Sequence, residues 1–190
     1  MQRELILCAD DYAQSESVSA AILYLATQKR INAISCLVNG SYWQDAFGNL
    51  QALKSSHFIG LHLNLTFGQP LSSAWRMRYG DQFDSLSKLL WLTYSGQLDM
   101  TIVMAEIEAQ LNLFIQDLHM YPDFIDGHQH IQQLPVVRDA LIAVYNQQHE
   151  KVHGYATLSH FDVDTDPEPY PCFLRQTYNG WKDWCSIQGF

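Results

Sequence analysis

Phe58-Ile59-Gly60-Leu61-His62-Leu63-Asn64 is a short apolar run that ends on an imidazole and an amide. Its first six residues, Phe58 to Leu63, have little polar alternation and read as a strand buried on both faces, the kind that builds parallel sheets. Two similar runs precede it. Residues 4–9 (Glu-Leu-Ile-Leu-Cys-Ala) lead into Asp10-Asp11, and Ala33-Ile34-Ser35-Cys36-Leu37-Val38 is stopped by Asn39-Gly40. Between the first two runs, Val18, Ile22 and Leu25 recur at helical spacing behind a cap at Ser15 or Ser17. Residues 42–54 form a weaker helix. Strand and helix therefore alternate, which predicts an α/β fold with a parallel sheet.

Residues 66–100 interrupt that rhythm with turn chemistry (Gly68-Gln69-Pro70, Ser72-Ser73, Tyr79-Gly80-Asp81) and large rings (Trp75, Trp91, Tyr94). A connection this long is expected to be a lid or substrate-binding insertion with a short helix near 85–93, or a satellite hydrophobic cluster. Asp99 or Thr101 then caps the clearest helix, with Val103, Ile107, Leu111, Phe114 and Leu118 on one face and Glu106, Glu108 and Gln110 elsewhere. Tyr121-Pro122 ends it, residues 123–126 read as a fourth strand, and Pro135 suits the first turn of the next helix. Residues 152–158 read as a fifth strand. The tail at about 160–190 shows no clear period. With no internal repeat or linker, residues 1–190 are expected to be one domain.

Apolar residues make up 47% of the chain and charged residues 16%, as in a globular protein. Acidic side chains outnumber basic ones by 20 to 11, giving −9, which argues against nucleic acid as a partner. No membrane span or signal peptide is evident. The cysteines Cys8, Cys36, Cys172 and Cys185 lack CxxC spacing, so a reduced cytoplasmic protein is expected.

Polar groups gather where the predicted strands end: Asp10 and Asp11 after the first, His62 on the third, and Asp126-Gly127-His128-Gln129-His130 on the fourth. That edge of a parallel sheet carries chemistry, because strand ends converge there and loops are free to vary. One carboxylate and two imidazoles make a three-ligand site with open positions for a catalytic divalent cation. Asp11, His62 and His128 are the expected ligands. Asp10 would stay free as a general base. For His130, a supporting role, a ligand role and an acid role all remain open. Asn39 and Asn64 can hydrogen-bond a substrate or cap turns, and Trp75 can stack on a sugar or pack in the core or lid.

Taken in order, Ala9-Asp10-Asp11-Tyr12, Cys36-Leu37-Val38-Asn39-Gly40, Gly60-Leu61-His62-Leu63-Asn64-Leu65-Thr66 with Gly68 and Pro70, Glu106-Ile107-x-Ala109-Gln110 and Asp126-Gly127-His128-Gln129-His130 resemble the YdjC/ChbG-like carbohydrate deacetylase family, which includes chitooligosaccharide deacetylases. The resemblance covers residues 1 to about 150. It implies a distorted (β/α) barrel and removal of an N-acetyl group from an amino sugar, with one divalent ion, magnesium or zinc. It also implies Asp11, His62 and His128 as ligands and Asp10 as base.

Two departures stand out. The family's His-Pro motif, thought to supply an acid, has no counterpart before Phe190. Lys151-Val152-His153 stands where an arginine is usual. A truncated or frame-shifted chain, or a short branch that closes its barrel as a homodimer, fits this pattern, with His130 as a substitute acid. The rival readings are a catalytically impaired metal- or sugar-binding remnant and, less well matched, a two-His-one-carboxylate iron oxygenase.

Overall fold

The computed structural model describes residues 6–152, with side chains through residue 147. Strand β1 (Cys8–Tyr12) leads into helix α1 (Glu16–Thr27) and strand β2 (Ala33–Cys36). Helix α2 (Trp43–Ala46) runs into a 3₁₀ segment (Phe47–Ala52) ahead of strand β3 (Phe58–Leu63). Helices α3 (Ser73–Tyr79), α4 (Leu86–Tyr94) and α5 (Met100–Leu118) follow. Strand β4 (Ile125–Gly127), a 3₁₀ turn (His128–Gln133) and helix α6 (Pro135–Val152) complete the order. The strands lie side by side in chain order, all parallel, and this sheet is open among the described residues. No described helix is long and apolar enough to cross a membrane.

Register explains why the sheet has two unlike faces. Ser35 pairs with Gly60, Leu61 with Ile125 and His62 with Asp126. Because side chains alternate along a strand, Ala33, Ser35, Gly60, His62 and Asp126 share one face, while Ile34, Cys36, Ile59, Leu61 and Leu63 share the other. The second set is fully buried and joins an apolar core with Ile107, Leu111 and Phe114 of α5. What reads in sequence as continuous apolar strands is therefore a sheet with one apolar face and one that collects polar groups. Gly60, on the polar face, leaves room for the Phe124 ring, which lies where a side chain would be.

Capping matches the sequence expectation at two helix starts. The Ser15 hydroxyl accepts from Val18 N–H at 3.3 Å, and Asp99 accepts from Thr101 N–H at 2.8 Å. Other expectations need correction. Strand β1 runs from Cys8 to Tyr12, so Asp10 and Asp11 lie inside it rather than after it. Residues 66–100 hold two helices, α3 as well as the expected one at α4. Trp75, Phe83, Leu89, Leu92 and Leu98 from this segment join the same core. Glu106 and Gln110, placed by periodicity off the apolar face of α5, are fully buried. The reason is that α5 is covered on several sides, by β3, α3 and α6. The predicted fifth strand would begin at Val152, where α6 instead ends; the rest of it and the tail lie outside the described residues.

Candidate metal centre

Strand β1 breaks its register with β2 between Ala9 and Tyr12, and Asp11 takes a left-handed backbone with φ of 65°. Such an irregularity re-aims a side chain, and aspartate tolerates this region better than most residues. It turns Asp11 towards His62 and His128. Asp11 Oδ1 lies 3.2 Å from His62 Nε2 and 2.7 Å from His128 Nδ1. His128 begins the turn that follows Gly127. That glycine has no room for a side chain because Gln132 packs against it. The two imidazoles meet edge to face with centroids 5.6 Å apart.

His62 is held from behind. Its Nδ1 lies 2.6 Å from Asp126 Oδ1, and the Ser35 hydroxyl donates to that same oxygen. All three side chains are buried. Burial works against a charged His62 ring, but hydrogen bonds to Asp11 and Asp126 outweigh it and raise its pKa to about 9. The hydrogen bond from His62 holds the Asp11 carboxyl below the usual carboxylate range.

Asp10 lies on the polar face with different neighbours. Ligand atoms of Cys8, Asp10 and Asp126 lie within 4.8 Å of one another. Burial raises the pKa of Asp10, and repulsion from Asp126 adds to the effect. Burial also raises that of the Cys8 thiol, with the Asp10 charge adding to it, so the thiol stays protonated. Sequence alone does not single out Ser35 or Cys8 as site residues, and it marks Asp126 only as the carboxylate of its motif, without a role. Ser35 and Asp126 have no polar neighbour two positions away within their own strands, and only strand register places them beside His62.

Donor atoms of Asp11, His62 and His128 lie within 4.8 Å of one another, and this donor set fits a divalent metal. The tautomer control on His62 fits too. A ligating histidine typically gives its second nitrogen to a carboxylate, as His62 does to Asp126, leaving Nε2 for the ion. His130 is exposed, with φ of 59°, and falls outside this group.

The expected substrate contacts are placed differently. Asn64 accepts from Thr66 and Phe67 N–H through Oδ1, and donates through Nδ2 to Asn39 Oδ1 and Phe67 O. Both lone pairs and both protons are used, so it caps a turn. Asn39 donates to Gln69 O and accepts from Asn64, tying the same loop. Trp75 is 3% exposed, with its ring against Tyr79 and Phe83, and packs the core instead of facing a sugar.

A family described as YdjC-like protein matches residues 4–178. The chain belongs to this family. Among its relatives, a carbohydrate deacetylase of Danio rerio is 32% identical over 146 residues, 74% of this chain and 46% of that protein. A carbohydrate deacetylase of Homo sapiens is 32% identical, covering 70% of this chain and 42% of that protein. A chitooligosaccharide deacetylase of Enterobacter sp. (strain 638) is 27% identical, covering 72% and 53%. The chain thus spans about half the length of these relatives. A crystal structure titled a putative cellobiose-phosphate cleavage protein, from Enterococcus faecalis V583, shares the fold at a TM-score of 0.59. It is 22% identical and covers 77% of this chain and 55% of that one.

Proposed function

We propose that this YdjC-like chain is a metal-dependent hydrolase that removes the N-acetyl group from an amino sugar or chitooligosaccharide. The observation that carries the reading is the convergence of Asp11 from β1, His62 from β3 and His128 from the turn after β4, with donor atoms within 4.8 Å. A divalent ion, magnesium or zinc, held by those three would supply Lewis acidity at the acetamide carbonyl and make water a better nucleophile near neutral pH.

The remaining roles fall to the chain's own groups. Asp126 and Ser35 orient His62. Asp10 takes the proton from the attacking water. Partial desolvation and repulsion from Asp126 raise its carboxyl pKa, and its exposed side chain is open to a water. His130, two residues beyond His128, protonates the leaving amine. The free cysteines Cys8 and Cys36 fit a reducing cytoplasm. A homodimer belongs to the same reading, since β1 and β4 each have a sheet edge without a further strand among the described residues.

Acetate release from N-acetylated chitooligosaccharides, with metal content measured in the same sample, tests the proposal. Turnover that tracks metal occupancy supports it. Full occupancy without acetate release leaves a binding protein and overturns it.

A further inference from the structure

Phe67 keeps 37% of its surface exposed, and its ring centroid lies 6.2 Å from that of His128, one of the three clustered donors. An exposed phenylalanine is by itself unremarkable. What separates this one is how tightly its loop is held. Phe67 N–H donates to Asn64 Oδ1 at 2.9 Å, and Phe67 O accepts from Asn64 Nδ2 at 2.7 Å. The next residue, Gly68, turns with φ of 72°, and its carbonyl accepts from Phe83 N–H at 2.9 Å.

The clamp continues beneath the loop. Gln110 donates to Asn64 O at 2.7 Å and accepts from Asn64 N–H at 3.1 Å. Glu106 accepts from Leu71 N–H at 3.0 Å, from Ser72 N–H at 2.8 Å and from Gln110 at 2.9 Å. Both α5 side chains are fully buried. Burying a carboxylate and an amide is costly unless every group is satisfied. Here that cost goes into fixing residues 64–72, and the large apolar group they present to solvent stands beside the metal centre.

We infer that Phe67 is the platform on which a substrate sugar ring stacks while its acetamide reaches the Asp11–His62–His128 centre. A pyranose has a face of C–H groups that is apolar and weakly positive, complementary to the negative face of an aromatic ring. A platform rigid before binding avoids the ordering cost that a free side chain would incur. Asn64 and Asn39 act through the loop as positioning residues, and Glu106 and Gln110 support them from α5. The inference rests on the sugar-deacetylase reading.

The test compares the zinc-loaded full chain with Phe67→Ala, Phe67→Leu and Phe67→Trp, using triacetylchitotriose as probe. Acetate release gives kcat and KM, and calorimetry gives sugar and zinc affinities. Loss of the ring in Phe67→Ala and Phe67→Leu should weaken sugar binding about tenfold, read in KM and Kd. The value of kcat should move less than about twofold, and zinc affinity should stay the same. Phe67→Trp should restore binding. Unchanged sugar affinity in Phe67→Ala, or a Phe67→Leu variant equal to the parent, overturns the inference. If the parent binds sugar but releases no acetate, the deacetylase reading fails while the binding series still decides the role of Phe67. No sugar binding by the parent overturns both.

Discussion

His62 and Asp126 are register partners across β3 and β4, and Asp126 Oδ1 lies 2.6 Å from His62 Nδ1. Parallel pairing places the two side chains on one face, so the sheet itself aims the imidazole and leaves Nε2 directed at Asp11. Asp126→Asn keeps the shape and removes the charge. It should lower metal affinity by about 10- to 100-fold while the far-ultraviolet circular dichroism is unchanged. Calorimetric metal titration checks it, and an affinity equal to the parent's would mean that Asp126 has no share in holding the ligand.

Asp11 and Asp10 are neighbours in sequence with separate surroundings, so their variants should separate as well. Asp11→Ala removes the carboxylate that touches both imidazoles and should abolish metal binding. Asp10→Asn should retain metal and lose turnover by about 10²-fold or more, the usual contribution of a general base. Metal content and acetate release, measured on the same preparations, decide both. Retained deacetylation in Asp10→Asn removes its assigned role.

The pKa of His62 gives a pH dependence of definite sign. A protonated ring cannot ligate, so metal binding must release the proton that Asp11 and Asp126 retain up to about pH 9. Apparent affinity should therefore weaken as pH falls below that value, approaching a tenfold loss per unit when one proton is released. Without metal, the same raised pKa stabilises the fold fully below the ordinary value of 6.5, and this contribution is lost as pH rises through about 9. Thermal melts of metal-free protein should show that decline between pH 6.5 and 9, and a flat profile would contradict it.

Glu106 satisfies two backbone N–H groups of the loop after β3 and one amide donor. In Glu106→Ala those buried donors lose their acceptor, at about 1–3 kcal/mol for each group left unsatisfied. Urea unfolding should show a loss of at least about 2 kcal/mol. Glu108→Ala, one face away and half-buried, should fall within about 0.5 kcal/mol of the parent. Equal effects at the two positions would refute the clamp.

Much of this arrangement is legible before any coordinates. The apolar runs 33–38 and 58–63 identify two strands, the first run being two residues longer than β2, and Ser15 and Asp99 mark helix starts, because capping and periodicity are local properties. Asp11, His62 and His128 are recognisable from residue type and from their places near the ends of the predicted strands. The helix α3 escaped notice because seven residues give too little periodicity to separate it from the loops around it.

Composition and local pattern were enough to determine the parallel α/β class and the identity of the three clustered donors. Only the tertiary structure decided which groups stand behind them. Ser35 and Asp126 reach His62 through strand register, and Glu106 and Gln110 reach Asn64 and its loop through the packing of α5. These contacts join residues 27 to 91 positions apart, and nothing in a local window records a distance of that kind. The same limit hid the fate of Asn64, Trp75 and Phe67. Whether an amide is spent on its own turn, or a ring faces its neighbours or the solvent, depends on what the fold brings against it.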